Sequence, residues 1–281
     1  MHIGCHVSVR QGYTEAARIA QRLGGTCYQY FPKNPRSLQI KSFSRQDAQQ
    51  CRDFCKEHGI ISIAHTPYPT NLCTEGREEQ AAMVASVRND LEIADACGSI
   101  GVVVHFGQYK GNHPDPLFGY QLMIRSLNEI LEGWTGNALI LLENNAGQGN
   151  KMGMTLEELV QVRALINRPE LVGFCFDTCH AFASGLWTGG NWEEVQKRGE
   201  ELGYFTHLKA VHLNDSRYPT GSHRDRHADI GYGEIGAERI GELIRSRGVR
   251  EVPLFLETPA ERPGGHKSEI AFVKQLFASP Q

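Results

Sequence analysis

Short apolar runs and longer stretches of helical spacing alternate from one end of this chain to the other. β-Branched and aromatic runs fall at 2–7, 26–31, 61–66, 100–106, 137–144, 172–178, 208–214 and 252–258, each of strand length. Between them, apolar positions three and four apart predict helices near 12–24, 45–58, 75–97, 116–133, 155–166, 192–203, 236–247 and 267–278. Ser44, Thr155 and Asn191 stand just ahead of three of these helices, where a side-chain oxygen can cap free N–H groups. Strands alternating with helices imply parallel pairing through helical crossovers. Eight such units are the number that closes a barrel, and no linker, low-complexity run or composition break divides them. The pattern predicts an α/β fold, a (β/α)8 TIM barrel forming a single domain over 1–281, with its active site at the C-terminal ends of the strands. An open doubly wound sheet is the competing architecture. It is disfavoured because only a closed ring brings so many strand ends to one point.

The residues that close the strands break the apolar pattern. They are His65 in IAHTP, His105 in VVVHFG, Glu143 in LILLEN, Asp177 in FCFDTCH, His212 in AVHLND and Glu257 in LFLETP. His180 follows Asp177 by three positions, and the loop RDRH adds Asp225 and His227. A single histidine at a strand end is more often a hydrogen-bonded core or surface residue than a ligand. Six ligand-type residues at one end of one barrel reverse that expectation, because function in such barrels sits at the strand C-termini. Mixed imidazole and carboxylate suits Zn²⁺, Mn²⁺ or Fe²⁺, and nine such residues exceed the needs of one tetrahedral ion. Two metals sharing a bridging carboxylate suit in-line displacement at phosphorus. Asp225 and His227, two apart in an extended segment, point the same way and with His180 form a plausible third site. The glycines Gly231, Gly233 and Gly236 match GxGxxG but follow no strand, so we read them as a loop-to-helix turn and expect no nucleotide cofactor.

Composition changes this picture little. The 281 residues are 40% hydrophobic and 22% charged, with no apolar stretch long enough to span a membrane. The beginning, MHIGCHVSVRQG, has no signal-peptide pattern, so a cytoplasmic protein is expected. The eight cysteines form no CxxC pair and read as free thiols. The net charge of −3 argues against a nucleic-acid partner only until its distribution is considered. Lys33, Arg36, Lys110, Lys151, Arg217, Arg224 and Arg226 all fall in loops after strands, whereas Glu78, Glu79, Glu157, Glu158, Glu193 and Glu194 fall near helix starts. One face can therefore be basic on a mildly acidic protein.

The segments HVSVRQG (6–12), FPKNPR (31–36), HTPYPTNL (65–72), ENNAGQG (143–149), VGFCFDTCHAFASG (172–185), HLNDSR (212–217), DRHADIGYGEIG (225–236) and FLETP (255–259) resemble those of the endonuclease IV family of apurinic/apyrimidinic (AP) endonucleases. The resemblance runs from the first strand to the last, and FDTCHAFASG and DRHxxxGxGxIG are its specific patterns. It implies three divalent ions, Zn²⁺ by preference: one held by His65, His105 and Glu143, a second by Glu143, Asp177, His212 and Glu257, and a third by His180, Asp225 and His227. It implies hydrolysis of the phosphodiester 5′ to an abasic site in duplex DNA, giving a 3′-hydroxyl and a 5′-deoxyribose phosphate, together with removal of blocking groups from 3′ ends. Glu257 or Glu143 would accept or orient the proton of the attacking water. Arg36 and Tyr68 match positions that contact DNA bent around a flipped-out nucleotide, and Lys33 and Arg226 are further candidate contacts. The family acts without a membrane, and a monomer suffices.

The chain departs from the family pattern at Pro69, where a bulky aliphatic wedge is usual, and in FGQYKG after His105. Both departures concern the grip on DNA and leave the ligand set intact. A sugar isomerase or epimerase of the xylose-isomerase-like barrels is the main alternative, but it gives no reason for His180, Asp225 and His227 together. A non-catalytic DNA- or metal-binding barrel gives no reason for a complete ligand set.

Overall fold

The computed structural model describes residues 1–149 and 152–278. Eight parallel strands form a closed ring: β1 (Ile3–His6), β2 (Cys27–Tyr30), β3 (Ile61–His65), β4 (Gly101–His105), β5 (Leu139–Glu143), β6 (Val172–Asp177), β7 (Leu208–His212) and, later in the chain, β10 (Leu254–Leu256). β10 sits between β7 and β1 and closes the barrel. The intervening helices are α1 (Tyr13–Arg22), α2 (Arg45–His58), α3 (Arg77–Cys97), α4 (Phe118–Leu131), α5 (Leu156–Leu165), α6 (Thr178–Ser184), α7 (Trp192–Glu201), α8 (Tyr204–His207), α9 (Ala237–Arg245) and α10 (Gly265–Ala278). A 3-10 turn over Pro169–Leu171 leads into β6.

All eight expected strands and all eight expected helices are present, so the (β/α)8 barrel is the fold. The pattern missed three things. The strand expected at 252–258 is only three residues long. The short helices α6 and α8 are too brief to show a periodicity. A two-stranded antiparallel hairpin, β8 (Asp215–Ser216) with β9 (His227–Ala228), projects from the top of β7. The helix caps also differ in kind. Ser44 accepts from the Asp47 N–H, and Thr155 forms a reciprocal capping box with Glu158. Asn191 precedes α7 without capping it, because its side chain accepts from Thr188 instead.

Two shells of apolar residues hold the ring. The larger lies between strands and helices, where Phe174 stacks on Tyr204 and Phe176 packs against Trp192. The smaller lies inside the barrel and consists of Cys27, Ile63, Val103, Leu141, Cys175, Ala210 and Phe255, one from each of seven strands. β1 supplies Gly4 at the corresponding place. A Cβ there would lie 1.5 Å from the Cys27 carbonyl oxygen, so only glycine lets β1 approach β2. All eight cysteines are free and buried, as the spacing suggests. Among the described residues, no helix is long and apolar enough to cross a membrane.

Candidate metal centre

Alternation along a strand brings every second side chain to the same face. Two residues above the interior apolar level therefore lies a second inward-facing level: His6, Gln29, His65, His105, Glu143, Asp177, His212 and Glu257, one from each strand or from the residue just past it. None is apolar. Six of these eight are the strand-end residues picked out by the sequence. His6 and Gln29 complete the ring and were missed, because a histidine and a glutamine within IGCH and CYQY look unremarkable outside a closed barrel. Their register, two places beyond an interior residue, was the available signal.

The ligand-type atoms converge in three groups. His65 Nε2 and His105 Nε2 lie 3.7 and 3.2 Å from Glu143 Oε2. His212 Nδ1 lies 2.7 Å from Glu143 Oε1, 3.2 Å from Glu257 Oε2 and 3.9 Å from Asp177 Oδ2. His180 Nε2 and His227 Nε2 approach the two oxygens of Asp225 at 3.3 and 3.2 Å. Within each of the sets His65–His105–Glu143, Glu143–Asp177–His212–Glu257 and His180–Asp225–His227, the donor atoms all lie within 4.8 Å of one another. Glu143 belongs to the first two sets, and Asp177 Oδ2 lies 3.7 Å from His227 Nε2, linking the second to the third.

Backbone carbonyls aim most of the imidazoles. Nδ1 of His65 faces the Thr66 carbonyl at 2.7 Å, that of His180 the Asn144 carbonyl at 2.8 Å and that of His227 the Glu257 carbonyl at 3.3 Å. Each contact leaves Nε2 toward the shared space. Two asparagines brace the carboxylates and were quoted in motifs without a role. Asn144 Oδ1 accepts from the Asp177 N–H, and Asn144 Nδ2 donates to the Asp177 carbonyl. Asn214 donates to Asp177 Oδ2 at 2.8 Å while its Oδ1 accepts from the Glu257 N–H. Asp177 Oδ1 caps α6 through the His180 N–H, so Oδ2 remains for the site.

A further missed residue of consequence is Asp215. Its buried carboxylate accepts from the backbone N–H groups of Ser216, Gly231, Gly233, Ile235 and Gly236. The GxGxxG segment is thus a loop that wraps an internal carboxylate, and as expected it leads into a helix, α9. A Cβ on Gly233 would lie 2.4 Å from the Ser216 carbonyl oxygen. The loop fixes the base of the β8–β9 hairpin, and the hairpin carries His227 and the adjacent Asp225.

Charge is concentrated here in a small volume. Burial opposes ionisation of Glu143, but His212 and His105 outweigh it and hold the carboxyl well below the usual range. Glu257 is likewise held at about 2, His212 overcoming burial. Asp177 moves the other way, raised by burial. Against burial, Asp177 and Asp225 hold His180, and Cys175 with Glu257 and Glu143 holds His212, well above the ordinary imidazole value, while Asp225 and Asp177 hold His227 at about 9. His105 and His6 fall to about 4, chiefly through burial. Four carboxylates thus draw protons onto three imidazoles. Glu143 Oε2 and His227 Nε2 are buried with no hydrogen-bond partner. Donors of this type, converging with unsatisfied atoms and excess negative charge, fit divalent cations.

A cavity of about 320 Å³ opens over the site between His6, Phe31, Tyr68, His105, Asp225 and Glu257. A larger one of about 710 Å³ adjoins it along the β1 and β2 loops and shares His6 and Phe31. Tyr68, 66% exposed, stands on the rim with its ring 5.1 Å from Phe31, and its N–H bonds the Pro35 carbonyl. Pro69, Arg36 and Arg226 are also exposed. Lys33 is not, and the expectation that it meets DNA is corrected. Its side chain is 2% exposed, and its ammonium lies 3.1 Å from buried Asp90 and donates to the Ser86 carbonyl. The sequence could not distinguish a loop lysine pointing out from one folded back under its loop. Of the other loop cations, Arg217 is paired with Glu261, Arg224 lies over the Tyr218 ring, and Lys151 falls outside the described residues.

A barrel whose strand ends present a ring of histidines and carboxylates defines a class, and the family profile described as "Xylose isomerase-like TIM barrel" matches residues 17–276. A protein from Symbiobacterium thermophilum named "Probable endonuclease 4" is 42% identical over 277 residues, covering 99% of this chain and all of the relative. One of the same name from Moorella thermoacetica is 33% identical, covering 98% and 99%. The crystal structure of endonuclease IV from Thermus thermophilus superposes with a TM-score of 0.87 at 29% identity over 98% of both chains. A D-tagatose 3-epimerase-like protein superposes at 0.73 with 20% identity, covering 98% and 97%, a likeness of fold alone. The chain belongs to the endonuclease IV family, within the xylose isomerase-like TIM barrels.

Proposed function

We propose that the chain is a DNA-repair endonuclease that hydrolyses the phosphodiester on the 5′ side of abasic sites in duplex DNA, leaving a 3′-hydroxyl and a 5′-deoxyribose phosphate, and that it clears blocked 3′ ends at the same site. The observation that carries this reading is the third donor group. His180, Asp225 and His227 lie beside the four donors around Glu143 and Asp177, and a one- or two-metal sugar isomerase has no use for them.

His65, His105 and Glu143 would hold one divalent ion. Glu143, Asp177, His212 and Glu257 would hold a second, and His180, Asp225 and His227 a third. The donor set favours Zn²⁺, with Mn²⁺ or Fe²⁺ also compatible. Bound there, such ions polarise phosphoryl oxygens and make water nucleophilic near neutral pH. Three divalent ions exceed the four carboxylates by about two charges, which attracts a phosphodiester. The chain supplies the rest. Glu143 and Glu257, held as carboxylates, can orient a water and accept its proton. Tyr68, Pro69 and Arg36 project from the rim toward a duplex, where an aromatic can stack in the gap left by a nucleotide with no base to unpair. Arg226 on the hairpin adds a cation for the backbone. The reading requires no membrane and no nucleotide cofactor and is satisfied by a cytoplasmic monomer.

The test is incision of a duplex carrying one abasic site, with the 3′ product end identified, together with elemental analysis of the purified chain. The reading expects a 3′-hydroxyl and three divalent ions per chain. One ion and no incision would point to the isomerase chemistry instead.

A further inference from the structure

The three imidazoles aimed by backbone carbonyls present Nε2 to the site. His212 is turned the other way, and what turns it is a side chain. Gln29, fully buried on β2, faces His212 Nε2 with Oε1 at 2.6 Å and Glu257 Oε1 with Nε2 at 2.6 Å, and its Nε2 also lies 3.3 Å from His6 Nδ1. The chemistry of the partners fixes the orientation of this amide. A carboxylate oxygen only accepts, so the group facing Glu257 must be the NH₂. The group facing His212 is then the carbonyl oxygen, and His212 Nε2 must carry a hydrogen. Nδ1 is left as the nitrogen with a free lone pair in neutral His212, and it is Nδ1 that faces Glu143, Asp177 and Glu257. The same amide occupies Oε1 of Glu257 and leaves Oε2 turned toward the shared space.

We propose that Gln29 is a positioning residue for the metal held by Glu143, Asp177, His212 and Glu257: one buried carboxamide sets the tautomer of His212 and selects which oxygen of Glu257 faces the site. The proposal rests on the metal-dependent reading of the site. It makes this ion dependent on a replaceable side chain. The imidazoles of the other two groups, His65, His105, His180 and His227, are aimed without Gln29, and those two ions are independent of it. Loss of an outer hydrogen-bond partner of this kind typically weakens a metal about 10–100-fold.

The experiment compares the unaltered chain with Gln29→Leu, which keeps bulk and removes the hydrogen bonds to His212, Glu257 and His6. It titrates each against a competing chelator, counts the ions retained, and follows the visible absorption of the Co²⁺-loaded forms. We expect Gln29→Leu to release one ion at a chelator concentration at least about tenfold lower, with the Co²⁺ spectrum changed for that ion alone and the other two affinities unmoved. Equal retention of all ions overturns the proposal. Should Gln29→Leu fail to fold, as judged by circular dichroism and thermal unfolding, Gln29→Glu carries the test. It matches the native shape and can still accept from His212, but it cannot donate to Glu257 when ionised. It should loosen the same ion, and unchanged affinity again overturns the proposal. An unaltered chain that retains no metal overturns the reading of the site and this inference together. Retention by both chains alike overturns the inference alone.

Discussion

Glu143 is the residue that joins two of the three donor groups, because its two oxygens face different partners. Oε2 looks to His65 and His105 while Oε1 bonds His212. Glu257 has one oxygen committed to Gln29 and one directed inward. Glu257→Gln keeps the shape and removes the carboxylate that can take a proton. Incision of an abasic duplex should fall on the order of 10²–10⁴-fold in a single-turnover assay, and robust incision would refute its assigned role. Lys33 makes the opposite point about residues. It lies in a loop that the sequence assigned to DNA, yet it forms a buried pair with Asp90, whose carboxyl is raised to about 7 because burial outweighs the nearby ammonium. In the unfolded chain that carboxyl titrates near about 4. Below that value both states are protonated. Between the two values the folded state keeps a proton the unfolded state has lost, so stability drawn from Asp90 declines as pH rises from about 4 to about 7. Lys33→Met removes the counter-charge and raises the folded value further. It should destabilise the fold by about 3 kcal/mol at pH 8 and by much less at pH 5, as measured by urea unfolding at the two pH values. A cost independent of pH would show that the pair is not what the substitution disturbs.

At the scale of the element, the β8–β9 hairpin is the part that a plain barrel lacks. Its anchorage is one carboxylate, Asp215, collecting five backbone N–H groups from its own strand and the glycine-rich loop. Asp215→Ala would leave those buried donors without an acceptor, at about 1–3 kcal/mol for each one that finds no water. The hairpin should loosen first. Metal analysis is expected to show loss of the ion assigned to His180, Asp225 and His227 before the others, and a chain that keeps every ion would place the anchor elsewhere. The sequence made the strands legible because β-branched runs of fixed length recur at regular intervals. It made six of the eight ring positions legible because His, Asp and Glu are out of place at the end of an apolar run. Gln29 and His6 were not legible from residue type, since only their register, two places beyond an interior residue, marks them, and that register shows only once the barrel is closed. Asp215 was hidden for a different reason. Its partners are mostly backbone N–H groups well along the chain, and backbone hydrogen bonding leaves no side-chain signature beyond the glycines that permit it.

For the molecule as a whole, the site is where the fold gathers negative charge against its own stability. The four carboxylates and five imidazoles of the three donor groups share one end of the barrel, and cations that bind the folded state alone stabilise it by mass action. Prolonged chelation should therefore lower the midpoint of thermal unfolding as well as abolish incision, and Zn²⁺ should restore both. At a free-ion concentration about a thousandfold above the dissociation constant, one site contributes about 4 kcal/mol. An unchanged midpoint after complete metal removal would mean that the barrel holds its carboxylates without help. The order of the strands adds a consequence in time. β10, which closes the ring between β7 and β1, is the last strand in the chain, and Glu257 stands just past it. A chain emerging from the ribosome N-terminus first can carry His65, His105 and Glu143 long before it can shut the circle. The donor set around Glu143 and Asp177 stays one carboxylate short until the strand that completes the wall arrives. The donor set that the proposed incision needs can therefore be completed only near the end of synthesis.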